Sequence, residues 1–381
     1  MNKTNLCFAR EDTRAVKGVA VIMMLLHHLA GFSNRFPVGF EGFTAKGDWF
    51  VKEGFLVSLA LNLNFCVVIF YFLGGYGIYR RMEKGSFSLT DSVLGMVKKY
   101  WKIFVIFVPV AYIFFSRSGD DVSILASRYN FVTVRELITT IISNFTMLSD
   151  SINSEWWFMK TYICVLIMGT AYYRLTKKLN SFSGELLIVI ILDMLFRSVL
   201  PNLPLVQGME SLSRNVFFKR FCIETATASP FFAGIVFAKY DVLVRLKKMI
   251  GERSLGAVFG LLGAAVIIWC RCFIVGSELD VVYVPILAAS LSVFFDSVKP
   301  LKFVFDIIGG QSTNMWLIHS FYCYYFLEIT KIVYITSNVW IDLLILVSMS
   351  LLTSVLIELF YKYLFKGTAY IRSKCSKLKA A

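Results

Sequence analysis

The chain has 381 residues, of which 57% are hydrophobic, 16% aromatic and 17% charged, and its formal net charge is +14. Soluble domains are about half apolar and about a quarter charged, so this composition excludes an ordinary soluble protein. Repeated runs of about twenty apolar residues instead predict an all-α polytopic membrane protein.

The apolar runs predict about ten transmembrane helices in a single bundle, which would form one integral-membrane domain over residues 1–381. The predicted spans lie near residues 15–33, 56–79, 100–116, 155–174, 184–200, 217–238, 254–275, 280–297, 311–330 and 339–365. In the longest outer loop, residues 117–154, the stretch 134–145 could form an amphipathic or re-entrant helix.

Charges in the loops predict that both termini lie in the cytoplasm. With residues 1–13 placed there, the loops on the same side are rich in Lys and Arg, and the series ends in the basic tail 367–381. The alternate loops are acidic or mixed; in one of them Asp120 and Asp121 offset Arg117. This positive-inside bias explains most of the net charge, so no nucleic-acid partner is predicted.

The first predicted span carries an unusual pair, Lys17 and His28. On an α-helix the eleven-residue offset brings the two side chains to within about 20° of each other, about 16 Å apart along the axis. Arg14 lies about 40° to the other side of His28. All three histidines of the chain, His27, His28 and His319, fall in predicted spans, where ionisable groups are costly and are often functional.

Two interpretations of these residues remain open. A neutral imidazole can accept a proton from a hydroxyl group at physiological pH, although a buried histidine can also serve only as a hydrogen-bonding group between helices. Lys17 and Arg14 could be positive-inside anchors, or they could bind an anionic cofactor whose reactive end reaches up the helix. Because His27 is rotated by about 100° from His28, His28 is the stronger candidate for the reactive group.

Metal chemistry is not predicted. The eight cysteines contain no CxxC pair, and most of them fall inside apolar runs. They are therefore interpreted as small buried hydrophobic residues.

Other polar and aromatic residues are candidates for substrate contact. Trp156 and Trp157 fit an interfacial aromatic belt, or they could stack on sugar rings. Glu224 lies in a predicted span and could face a polar cavity. Ser312 follows Gly309-Gly310, where capping of a helix is the simpler account and substrate contact the second.

Six stretches, in order along the chain, resemble the motifs of the membrane acyltransferase family 3. They are DTRAVKGVAVIMMLLHHLAGF (12–32), FYFLGGYGIYRR (70–81), VKKYWKIF (97–104), EWWFMKTYICVLI (155–167), PFFAGIVFAK (230–239) and IGGQSTNMWLIHS (308–320). The first resembles the family's Arg/Lys-x10-His signature, with Lys17 and His28 at its two ends. The last resembles its closing G-x-x-S-x-x-x-Y-L-x-H signature, with His319 as the final histidine.

The chain departs from the family pattern at several positions. Gly74 stands where Ser is usual, Phe104 where a Pro often follows, and Trp316 in place of Tyr. Lys99 and Lys102 stand at the two basic places of the R-x-x-R motif, and lysine there keeps the charge attraction for a phosphate but lacks the bidentate geometry of arginine.

The resemblance implies an enzyme that moves an acyl group, usually acetyl, from cytoplasmic acetyl-CoA to a hydroxyl of an extracytoplasmic glycan, such as capsule, exopolysaccharide or O-antigen. The doubled His and the K-G-x-A start look most like members that O-acetylate bacterial surface polysaccharides, which implies a place in the bacterial cytoplasmic membrane. His28 would act as a general base or carry the acyl group transiently, with His27 as its neighbour, while His319 would orient it or protonate the leaving group. The phosphates of acetyl-CoA would meet the cations of the cytoplasmic side: Lys17, Arg14, Lys98, Lys99 and Lys102.

Alternatives to this interpretation remain. The chain could be a proton-coupled transporter of a cell-envelope precursor, an envelope scaffold, or an acyltransferase that acts on a lipid or a small secreted molecule. The short loops favour a glycan acceptor that is still attached to a lipid carrier. Membrane lipid is a predicted partner, and the oligomeric state is left open, with a homo-oligomer as one possibility.

Overall fold

The structure, a computed structural model, describes residues 7–32, 55–115, 133–195, 228–252, 255–274 and 276–380. These residues are α-helical, with short 3-10 and π segments and no β-strand among them. The α-helices are α1 (Arg10–Ala30), α2 (Phe55–Asn62), α3 (Phe65–Glu83), α4 (Leu89–Phe115), α5 (Val134–Phe145), α6 (Trp157–Thr176), α7 (Phe182–Met194), α8 (Ser229–Lys239), α9 (Val242–Gly251), α10 (Gly256–Phe273), α11 (Asp280–Ser297), α12 (Lys299–Gly310), α13 (Ser312–Ser320), α14 (Leu327–Val333) and α15 (Val339–Ala380).

Five helical stretches of the described residues are long and apolar enough to cross a membrane. They are Arg10–Ala30, Phe55–Glu83, Gly256–Phe273, Asp280–Ser297 and Val339–Lys366. The prediction of an all-α polytopic membrane protein is therefore confirmed. The count of about ten spans and the cytoplasmic placement of both termini stay predictions, and Glu224 lies outside the described residues.

Helix α1 packs against α2, α3, α11, α12, α13 and α15, so it lies at the centre of the described bundle. Its closest neighbour is α12, and two glycines allow this approach. A Cβ on Gly309 would overlap the Arg14 carbonyl, and one on Gly18 would overlap the Phe305 carbonyl. Because glycine has no Cβ, the two backbones can touch at these points.

A buried ion network ties the start of α1 to three other helices. The Asp12 carboxylate, 1% exposed, accepts hydrogen bonds from Lys247 Nζ at 2.9 Å and from Lys302 Nζ at 2.5 Å. Both lysines also contact Asp296, each at 2.7 Å. Burial lowers the pKa of Lys302, but its hydrogen bonds to Asp12 and Asp296 outweigh that effect and raise it above the ordinary value. Two lysines and two aspartates thus balance in charge, which offsets the cost of burying them.

The predicted span 311–330 is not one continuous α-helix. Helix α13 ends at Ser320, a π segment follows over Phe321–Tyr325, and α14 begins at Leu327. The amide of Phe326 bonds to the carbonyl of Phe321 at 2.8 Å, five residues back, which is the π-helical pattern. Such bulges often occur at functional sites, and this one directly follows His319.

Candidate active site

The centre of the candidate site is a contact between His28 of α1 and Glu155. Nε2 of His28 lies 3.4 Å from Oε2 of Glu155, and both side chains are less than 10% exposed, at 7% and 8%. This distance allows an ion pair whenever the imidazole is protonated. With Nε2 facing a carboxylate, the neutral ring carries its proton on Nε2 and is basic at Nδ1.

Glu155 lies in a 3-10 turn, Ser154–Trp156, that is held against α13 by three hydrogen bonds. Asn153 Nδ2 donates to Ser320 Oγ at 2.7 Å, and Trp156 Nε1 donates to the Leu317 carbonyl at 2.9 Å. In return, Trp316 Nε1 donates to the Glu155 carbonyl at 3.2 Å. These bonds fix the backbone on both sides of the carboxylate.

The π segment supplies a further partner to Glu155. The Tyr324 hydroxyl donates to Oε1 at 2.8 Å, and its ring centroid lies 6.3 Å from that of His28. One oxygen of the carboxylate therefore faces a tyrosine and the other faces a histidine. The motif beginning at Glu155 is visible in the sequence, but the residue itself was not predicted to take part. The available signal was an acidic residue directly before the apolar run of a predicted span.

His319 lies beside His28, as the resemblance implied, with ring centroids 4.8 Å apart. Its Nδ1 is 2.7 Å from the Trp316 carbonyl, so Nδ1 carries the proton and donates. Nε2 is therefore the basic nitrogen, and it is buried with no hydrogen-bond partner among the described residues. His27 differs: its ring is also 4.8 Å from that of His28, but its Nδ1 lies 2.8 Å from the Ala60 carbonyl of α2.

A cavity of about 180 Å³ lies next to this cluster. Lys17, Lys99, Ser312 and Thr313 give it polar groups, and Phe70, Phe158, Tyr162 and Trp316 give it aromatic walls. Trp316 belongs to both places, because its ring also lies 6.5 Å from that of His319. Trp316 thus borders both the cavity and the histidine cluster.

The lysines at this cavity have no direct ion-pair partner in the part of the chain that the structure describes, although the charge of Glu358 acts on Lys99 from a longer distance. Neither Lys17 nor Lys99 forms an ion pair with a carboxylate of the described residues. The positive charges of Lys99 and Arg81 act on Lys17 and repel it. A cluster of positive charges without direct ion-pair partners, in a partly buried place, is an electrostatic setting that attracts an anion.

The other cations proposed for the same anion lie elsewhere. Arg14 makes a bidentate pair with Asp306 of α12, at 2.6 and 2.7 Å, so its guanidinium is already engaged. Lys98 is exposed and does not line the cavity. Lys102 lines a separate groove of about 420 Å³, with its Nζ 5.3 Å from the centre of the Tyr361 ring.

The residues predicted to contact the acceptor lie in different places. Ser312 lines the cavity that Lys17 also lines. The Trp156 ring is 2% exposed and packs on Tyr100, with ring centroids 5.0 Å apart, so it is enclosed by protein. Trp157 is partly exposed and contacts Phe158 edge to face. Within the described ranges, no group of three or more His, Cys, Asp or Glu residues could hold a metal ion.

Comparison with known proteins gives one result. A family model described as an acyltransferase domain matches residues 13–359 of the chain, a range that includes every residue of the histidine cluster and of the cavity. No curated protein and no solved structure matches the chain.

Proposed function

Because the chain belongs to acyltransferase family 3, we propose that it moves an acyl group, most simply acetyl, from cytoplasmic acyl-CoA to a hydroxyl of an extracytoplasmic glycan. One observation carries the proposal. Lysines without an ion pair among the described residues, an aromatic cavity and a Glu–His–His cluster follow one another from Lys17 to His28. On the predicted topology this order runs from the cytoplasm towards the outer side.

The residues at the cavity fit an acyl-CoA donor. Coenzyme A is polyanionic, and Lys17 and Lys99 offer positive charges that form no direct ion pair with a described carboxylate. Pockets for drug-sized ligands measure about 300–1,000 Å³, so the cavity, at about 180 Å³, admits only a narrow chain. The thin pantetheine arm therefore suits the cavity, and the nucleotide end would lie at its mouth, beside the exposed Lys99.

The cluster can perform the proton transfers that acyl transfer needs. The donor supplies an acyl group activated as a thioester. Nδ1 of His28 would take the proton from the acceptor hydroxyl as the new C–O bond forms and the C–S bond breaks. The imidazolium would then return this proton to the thiolate. Glu155, 3.4 Å from Nε2, would stabilise the positive charge of His28 between these steps.

Acyl transfer in the same cluster could also proceed through an acylated His319. Its buried Nε2 carries a lone pair, so it could attack the thioester and hold the acyl group as an N-acyl imidazole before His28 activates the acceptor. The two routes differ in whether an acylated protein accumulates when the acceptor is absent. Rapid quenching of the enzyme with labelled donor alone distinguishes them.

The acceptor is proposed to be a lipid-linked or surface glycan of a bacterial cytoplasmic-membrane pathway. The test compares the O-acetyl content of the cell's surface glycan by NMR, with the native gene, with His28→Ala and with His27→Ala. We expect O-acetyl signals to disappear in His28→Ala while the protein still inserts into the membrane. Retained O-acetylation in that variant would refute the role of His28. An acetylated lipid or small molecule, with an unmodified glycan, would instead identify a different acceptor.

A further inference from the structure

A second polar site lies on α5, away from the cavity. It is a groove of about 650 Å³, formed by one face of α5 and by the segment that follows the helix. Six of its lining residues carry a hydroxyl group: Thr133, Thr139, Thr140, Ser143, Ser149 and Ser151. Its volume is within the range of about 300–1,000 Å³ that is typical of small-ligand sites.

Helix α5 separates its polar and apolar residues on opposite faces. Val134, Ile138 and Ile142 are more than half exposed, at 73%, 51% and 57%, and follow one another at every fourth position. With 100° per residue, Thr139 and Ser143 lie on the other side of the helix. Exposed apolar residues on one face and hydroxyls on the other are typical of a helix at the boundary between lipid and water. The groove therefore lies where the sugar part of a membrane-attached glycan would lie.

The hydroxyls of the groove are held by the protein in two ways. Thr139 Oγ1 donates its own proton to the Arg135 carbonyl, and Ser143 Oγ donates to the Thr140 carbonyl at 3.1 Å. A hydroxyl that donates to its own helix still offers its oxygen lone pairs to a ligand. Three others, Thr133, Ser149 and Ser151, accept from protein N–H groups, so their own O–H protons can be donated to a ligand. The groove thus presents both acceptors and donors, which complements the hydroxyls of a sugar, since each of these both donates and accepts.

A short segment of the chain connects the groove to the histidine cluster, and hydrogen bonds fix its position. Asn144 Nδ2 donates to Ser151 Oγ at 2.9 Å, and Asn144 Oδ1 accepts from the Ile152 amide at 3.2 Å, which attaches this segment to α5. Ser151 and Glu155 are four residues apart, so their Cα atoms are at most about 14 Å from each other. A ligand in the groove is therefore within a few sugar units of His28.

We propose that the α5 groove binds the acceptor glycan and directs one of its hydroxyls to the histidine cluster. The inference rests on the proposed function, and it assigns the acceptor to a site that is separate from the cavity for the donor. It also predicts that binding of the glycan does not require the donor or His28.

The test measures equilibrium binding of a glycan to the full-length, detergent-purified protein. The probe is the cell's own surface polysaccharide, de-O-acetylated with mild alkali and labelled at its end with a fluorophore. The double variant Thr139→Val/Ser143→Ala removes two acceptor oxygens with little change in volume. We expect its Kd for this probe to rise about tenfold, because each hydrogen bond contributes about 0.5–1.5 kcal/mol.

Thr146→Val is the matched control, since Thr146 is an exposed threonine of the same region that does not line the groove. We expect its Kd to equal that of the native protein. An unchanged Kd in the double variant, or a native protein that does not bind the probe, would overturn the assignment of the groove. If the groove variant loses binding but the native protein transfers no acyl group, the groove assignment stands and the proposed function fails.

Discussion

Replacement of Glu155 by Gln tests the central contact of the site. The substitution keeps the size of the side chain and an oxygen that can accept from Tyr324, but it removes the negative charge that faces His28. If Glu155 stabilises the imidazolium, the variant should bind the donor normally and turn over slowly. If Glu155 only fills space, the rate should hardly change.

The expected loss of rate follows from the geometry. Two unit charges 3.4 Å apart interact by about 5 kcal/mol at an effective dielectric constant of about 20. The dipole of the Gln amide retains part of this stabilisation, so we expect about 2–4 kcal/mol to be lost in the transition state. This loss corresponds to a decrease of about 30- to 1,000-fold in kcat.

The assay follows transfer of labelled acetyl from acetyl-CoA to the de-O-acetylated glycan in proteoliposomes. Glu185→Gln is the control, because Glu185 is a fully buried carboxylate of α7 that pairs with Lys239 at 2.6 Å. That control should lower the unfolding midpoint and leave kcat per folded molecule unchanged. A kcat of Glu155→Gln within about threefold of the native value would refute the assigned role, since threefold corresponds to only about 0.7 kcal/mol.

Two further predictions test the donor site and the packing of α1. Lys17→Met should raise the KM for acetyl-CoA about tenfold, because a hydrogen bond to a charged group contributes about 1.5–3 kcal/mol, whereas Lys98→Met, outside the cavity, should leave it unchanged. Equal KM values in the two variants would remove Lys17 from the donor site. Gly309→Ala should lower the free energy of unfolding by about 1–3 kcal/mol, because its Cβ would overlap the Arg14 carbonyl. The adjacent Gly310→Ala meets no atom within 4 Å, so its unfolding midpoint should stay close to the native one, and a similar loss in both would contradict the close approach of α1 and α12.

The geometry of one helix could be predicted from the sequence alone. Helical spacing indicated that Lys17 and His28 share a face, and the structure has Lys17 in the cavity and His28 in the adjoining cluster. The same reasoning could not predict what other helices bring to that face. Arg14 has a favourable angle on α1, but Asp306 of α12, 292 residues further along the chain, takes up its guanidinium.

The spacing of a motif also failed to predict where the two lysines of α4 lie. Lys99 and Lys102 are three residues apart and were predicted to bind one anion, yet Lys99 lines the cavity and Lys102 lines a separate groove. Residues three apart on a helix differ by about 60° around its axis, so they are neighbours, but each can still face a different part of the surrounding structure. Glu155 was missed for a related reason: its role depends on the docking of its turn on α13, a contact between segments about 160 residues apart.

The π segment after α13 helps to explain how the carboxylate of Glu155 is stabilised among apolar helices. A carboxylate in a low-dielectric interior costs several kcal/mol unless its oxygens are engaged. A continuous α-helix over 321–325 would place Tyr324 at a different angle around the axis, because the π segment adds a residue to the turn. The bulge therefore lets Tyr324 reach Oε1 of Glu155 while His28 faces Oε2. The irregular backbone and the buried charge are thus parts of one arrangement, and we expect the carboxylate to lose its fixed orientation if either Tyr324 or the bulge is removed.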